Sequence, residues 1–225
     1  METVNIERFY LGCLAHASYF ISSGDTAAVV DPQRDVDIYL EAAARNNVTI
    51  QHVIETHLHA DFVSGHHELA ERTGAQIYLG EGSGAAFKHV AVKDGTSIQF
   101  GDCRLTFVQS LGHTLESICV LLQDLGQPHR PAIVFTGDTL FVGDVGRPDL
   151  SPSHTPEALA ALQRIGVARA EQALQTIKAT LAEHEQGVQA SLSWRDHRVP
   201  ILLAVAVAMF NQLAGINAIL YYLNS

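Results

Sequence analysis

Thr56-His57-Leu58-His59-Ala60-Asp61-Phe62 is the stretch on which the reading of this chain turns. It follows a short strand expected at 53–55 and sets three potential metal ligands, His57, His59 and Asp61, within five residues. That position, a loop just past a buried strand, is where sites sit in layered α/β proteins. Two distant segments repeat the arrangement of a polar residue beside a glycine: Gly112-His113-Thr114 and Thr136-Gly137-Asp138-Thr139. A lone histidine is ordinarily a surface or core residue. An HxHxD loop followed by Gly-His and Gly-Asp in this order points instead to a metal site. Imidazole nitrogen and carboxylate oxygen suit Fe(II) or Zn(II), and no thiolate is evidently involved.

Outward from that loop, short strands alternate with turns and helices. Apolar runs at 18–22 and 27–30 flank the turn signal Ser23-Gly24-Asp25. Residues 37–46 have helical periodicity, with Ile38, Leu40 and Ala42 to Ala44 available for one face and Asn46-Asn47 to stop it. Residues 63–72 read as a second helix ending at Gly74, with His66 and His67 on its surface. Strands are expected at 53–55, 77–79, 97–100, 105–109, 118–122 and 133–136. No role follows for His16 from the sequence.

The net charge of −10 is unevenly placed. All of it falls on residues 1–152, which carry 9 Lys/Arg and 19 Asp/Glu, whereas 153–225 are neutral. An acidic first part argues against nucleic acid as a partner. Three cysteines, Cys13, Cys103 and Cys119, without CxxC spacing fit a reducing compartment rather than a disulfide framework. The N-terminus METVNIERFY lacks a basic region followed by an apolar run, so no secretory signal is expected.

THLHAD, SLGHT and FTGD resemble the motifs of the metallo-β-lactamase superfamily. The longer strings FYLGCLAHASYFI, ETHLHADFVSGHHELA and FTGDTLFVGDVGRPDL resemble the persulfide dioxygenases within it. The resemblance covers residues 1–152 and implies an α/β fold, an αββα sandwich. It implies one Fe(II) held by His57, His113 and Asp138, with Zn(II) as the alternative, and His59 and Asp61 flanking the metal or lining a vacant second site. Hydrolytic members usually read HxHxDH, and here Phe62 stands in place of that last histidine. Phenylalanine cannot ligate, so a second metal would lose a ligand. Two histidines and one carboxylate leave positions open on Fe(II), whereas zinc is redox-inert. The implied activity converts glutathione persulfide and O2 to sulfite and glutathione. Arg147 is a candidate contact for a substrate carboxylate, a loop salt bridge being its alternative role. The competing activity is a thioester hydrolase of the glyoxalase II type.

The character changes after Pro152, where the implied sandwich is cut short at its C-terminal side. Residues 153–198 read as helical, with Thr155-Pro156-Glu157 as a helix start. Residues 199–223 contain no charged side chain. At ~1.5 Å per residue they would span roughly 37 Å as a helix, enough to cross a bilayer and tether a cytoplasmic domain. FNQLAGINAILYY at 210–222 resembles the seventh transmembrane helix of major facilitator sugar porters. That likeness implies sugar-contact positions at Asn211, Gln212 and Asn217. One helix cannot form a transport pathway, so a non-functional chimera carrying a transporter fragment is a third expectation.

Overall fold

The computed structural model describes residues 4–141, 145–147 and Ala168. Among the described residues ten strands form two sheets. The first has the order β1-β2-β3-β4-β5-β6, from β1 (Asn5–Leu11), β2 (His16–Ser23), β3 (Thr26–Val30), β4 (Thr49–Ile54), β5 (Gln76–Gly80) and β6 (Val90–Val92). Its first three strands pair antiparallel and the rest parallel. The second is wholly antiparallel in the order β10-β9-β8-β7, from β7 (Ser97–Phe100), β8 (Cys103–Gln109), β9 (Ile118–Asp124) and β10 (Ile133–Phe135).

Strand β3 shows why the layers form. Its sequence TAAVV is buried throughout, as a strand covered on both faces requires. Because side chains alternate, Ala28 and Val30 enter a core shared with Leu105, Phe107 and Val120 of the second sheet. Ala27 and Val29 enter a second core under α1 (Asp37–Asn46) and α2 (His66–Thr73), with Tyr39 and Leu69. The described residues therefore stack as helices, sheet and sheet. Tyr39 is fully buried, and its hydroxyl meets the Ser18 hydroxyl and accepts from the Gln33 amide at 2.8 Å. Burial holds its phenol up at about 12.

Helix α1 has the expected bounds. It ends where Asn47 turns left-handed at φ 53°, letting the amide reach the Ala43 and Ala44 carbonyls. Helix α2 begins at His66 rather than at residue 63, because Ser64 and Gly65 are tied to Pro32 instead. Val63 is left outside the helix and 71% exposed. The helical segment 153–198 and the span 199–223, with Asn211, Gln212 and Asn217, lie outside the described residues apart from Ala168. Among the described residues no helix is long and apolar enough to cross a membrane.

Candidate metal centre

The sheets bring their strand ends together on one side. Asp31 follows β3, Glu55 to Asp61 follow β4, His113 lies between β8 and β9, and Asp138 lies in a short 3-10 turn (Gly137–Thr139) after β10. The Ile118 amide donates to the Thr56 carbonyl at 2.8 Å, and the Leu58 amide to Glu116 Oε1 at 2.9 Å. These two bonds fix the β4 loop against the second sheet.

His57, His113 and Asp138 each offer one ligand atom within 4.8 Å of the others. The ring protons of both histidines follow from their partners. Thr56 Oγ1 donates its single proton to Asp31 Oδ2 at 2.8 Å, so toward His57 Nδ1, 3.0 Å away, it can only accept. His57 therefore carries hydrogen on Nδ1 and a lone pair on Nε2. His113 Nδ1 lies 3.0 Å from the Arg147 carbonyl, which also can only accept, so the same tautomer results. Its Nε2 lies 3.5 Å from Asp138 Oδ2. Two imidazoles held with Nε2 free, beside a carboxylate, are a donor set that fits a metal ion. Burial, aided by the neighbouring His59 charge, pushes His57 down to about 3, which keeps its ring neutral. Asp138 is shifted up by burial, with His113 and His59 opposing.

His59 is placed differently. Its Nε2 lies 3.2 Å from Asp31 Oδ1 and 3.5 Å from Glu55 Oε2. Burial disfavours its charge, but the Asp31 bond and the Asp31, Glu55 and Asp61 charges outweigh it and raise His59 to about 9. Asp31 also accepts the Thr56 amide at 2.7 Å and stays below its usual range despite burial, chiefly through His59. Glu55 is raised to about 8, first by burial and then by Asp31. Its Oε1 is 2.7 Å from Ser64 Oγ, itself 3.0 Å from the Pro32 carbonyl. Ser64 Oγ is thus shared as donor between the Glu55 carboxyl and the Pro32 carbonyl. Asp31, Glu55 and His59 thus form a second group of converging ligand atoms, closed by its own internal ion pair.

Asp61 is exposed and lines, with His16, Tyr19, His59, Phe135 and Asp138, a cleft of about 610 Å³. Arg147 is also exposed, and its carbonyl rather than its guanidinium meets His113. His67 is on the helix surface as expected, but His66 is not. As the first residue of α2 it turns inward, stacking on Phe87 at 4.6 Å and approaching Glu55 Oε1 at 3.6 Å. Sequence reasoning missed Asp31, Glu55 and Glu116. Asp31 carried the same signal as Thr56, a polar residue ending an apolar strand.

Gly137 shows how tightly the centre is built. Its φ is +47°, and a Cβ there would overlap the Thr56 hydroxyl. Gly137→Ala is expected to cost about 1–2 kcal/mol from the backbone alone. It should also displace Asp138, and a lower melting temperature together with weaker metal binding would show both effects.

Residues 11–197 match the metallo-beta-lactamase superfamily. The chain belongs to that superfamily. A hydroxyacylglutathione hydrolase of Francisella tularensis subsp. tularensis is 29% identical over 145 residues, 64% of this chain and 55% of that protein. The hydroxyacylglutathione hydrolase of Rhizobium johnstonii is 32% identical over 146 residues, 62% of this chain and 54% of its own length. The chain spans about half the length of these curated relatives. Among solved structures, a metallo-beta-lactamase from Staphylococcus aureus superposes with a TM-score of 0.66 at 34% identity, covering 73% of this chain and 50% of the other. ETHE1 from Myxococcus xanthus superposes with a TM-score of 0.63 at 28% identity, covering 73% and 68%. The superfamily match runs through 153–197, and these comparisons lend no support to a sugar-porter segment or a membrane tether.

Proposed function

We propose that the chain is a mononuclear, iron-dependent persulfide dioxygenase, converting glutathione persulfide and O2 to sulfite and glutathione. The observation that supports it best is Phe62. In a binuclear hydrolase Asp61 and a histidine at position 62 would hold the second metal. Here position 62 is phenylalanine, and His59 is committed to Asp31. That leaves His57, His113 and Asp138 as one set of two imidazoles and a carboxylate. Iron in such a set supplies open coordination positions and redox chemistry that zinc lacks. The protein's part is to present both Nε2 lone pairs, keep His57 neutral, and admit the thiol through the cleft. Asp61 flanks the centre from that cleft, and Arg147 is the candidate contact for a substrate carboxylate.

The hydroxyacylglutathione hydrolase relatives favour a second reading, zinc-dependent hydrolysis of a glutathione thioester. Both readings predict a glutathione-derived substrate. The full chain loaded anaerobically with Fe(II) is expected to consume O2 and release sulfite on addition of glutathione persulfide. Cleavage of S-lactoylglutathione by the zinc-loaded chain, with no sulfite from the iron-loaded one, would replace the dioxygenase by the hydrolase.

A further inference from the structure

We propose that His16 is the cleft's proton acceptor, taking the thiol proton of the incoming substrate through Nδ1. The proposal rests on the thiol substrate of the persulfide reading and adds a residue to it. His16 opens β2 and lines the same cleft as Asp61 and Asp138. Its Nε2 lies 2.9 Å from the Asp31 carbonyl oxygen. A carbonyl can only accept, so the ring carries its hydrogen on Nε2 and the lone pair on Nδ1. This tautomer is the reverse of that in His57 and His113. Among the described residues the Asp31 carbonyl is the ring's one hydrogen-bond partner, which leaves Nδ1 open.

Two rings of the loop after β4 pack beside the His16 ring. Phe62 lies against it at 4.2 Å between centroids, and also against His59 at 4.5 Å. The residue that cannot ligate a second metal is thus the wall that orients His16. In the transfer, the S–H bond of the substrate breaks and an N–H bond forms at Nδ1. The electron pair remains on sulfur, and nothing is oxidised or reduced in this step. The resulting imidazolium keeps its Nε2–H bond to the Asp31 carbonyl and gains from the Phe62 ring face. His59 lies edge-on at 5.6 Å, its own charge balanced by Asp31.

The test uses the full chain, zinc-loaded so that it is diamagnetic, with 15N-labelled histidine and glutathione as the probe. Free protein is expected to show His16 hydrogenated at Nε2 and bare at Nδ1, and glutathione should convert Nδ1 to the protonated form. A ring hydrogenated at Nδ1 beforehand, or an Nδ1 signal unmoved at every glutathione concentration reached, overturns the proposal. In the iron-loaded chain, His16→Gln is expected to lower kcat/KM about a hundredfold, as loss of a positioned base does, with metal content unchanged. Full activity in that variant would dismiss His16 and leave the dioxygenase standing. A wild-type chain that releases no sulfite, yet protonates His16 on binding glutathione, would retain His16 as acceptor and dismiss the dioxygenase.

Discussion

Replacing Asp138 by alanine is expected to abolish sulfite formation and to leave the purified chain with little bound iron. Asp138 is the single carboxylate of the proposed ligand set, beside the imidazoles of His57 and His113. Without it the ion loses both an oxygen donor and the negative charge opposite it. Removing a group that merely supports a ligand weakens metal binding by about 10–100-fold, so loss of the ligand itself should exceed that range. The carboxyl group is the least buried of the three, at 40% side-chain exposure, so the fold should tolerate the change. Iron content by mass spectrometry and the melting temperature together separate the outcomes. Iron retained at full stoichiometry would show that Asp138 is not a ligand.

The second large effect lies one layer out. Asp31→Ala is expected to destabilise the chain by about 3–5 kcal/mol, the range for removing one partner of a buried ion pair. Three groups lose their acceptor at once: the Thr56 amide, the Thr56 hydroxyl and His59. The consequence reaches the metal centre through one proton. With Asp31 gone, the Thr56 hydroxyl no longer has to accept from His57 Nδ1, and the ring is free to take either tautomer. Asp31→Asn should recover part of the stability by filling the space, but its amide hydrogens cannot accept the Thr56 and His59 protons together. Chemical denaturation gives the stability, and 15N chemical shifts of His57 give the tautomer. An unchanged His57 tautomer in a folded Asp31→Ala chain would break the proposed relay.

Much of this architecture is legible in the sequence because its signals are local. Residues 37–46 carry a helical period and an asparagine stop, and the helix has those bounds. The His57 loop, His113 and Asp138 all stand beside recognisable strand ends and do converge. Strand β1 is the instructive failure. NIERFYL mixes charged and apolar residues, and as an edge strand it is nowhere fully buried, so no apolar alternation marks it. Strand β6 is three residues long with two exposed, too short to leave a pattern. His66 was misplaced for another reason. Helical periodicity tells which residues share a face, but not that the first turn begins three residues late, at His66, after Ser64 and Gly65 are tied to Pro32. Glu55 and Glu116 are held by partners 9 and 58 residues away, which no local pattern reveals.

The tie between Thr56 and Ile118 has a consequence for the order in which the molecule assembles. His57 belongs to the first sheet, while His113 and Asp138 come from connections of the second. Neither sheet alone holds the His57, His113 and Asp138 set, so affinity of the proposed site for an ion arises only when the two halves have closed on each other. Contacts so distant along the chain form after local ones, because loop-closure entropy must be met first. An ion that recognises only the closed state then acts as a clasp. At a hundredfold excess over its dissociation constant it adds about 2.7 kcal/mol to that state, and a chelator would be felt first as a loosening of the seam between the sheets.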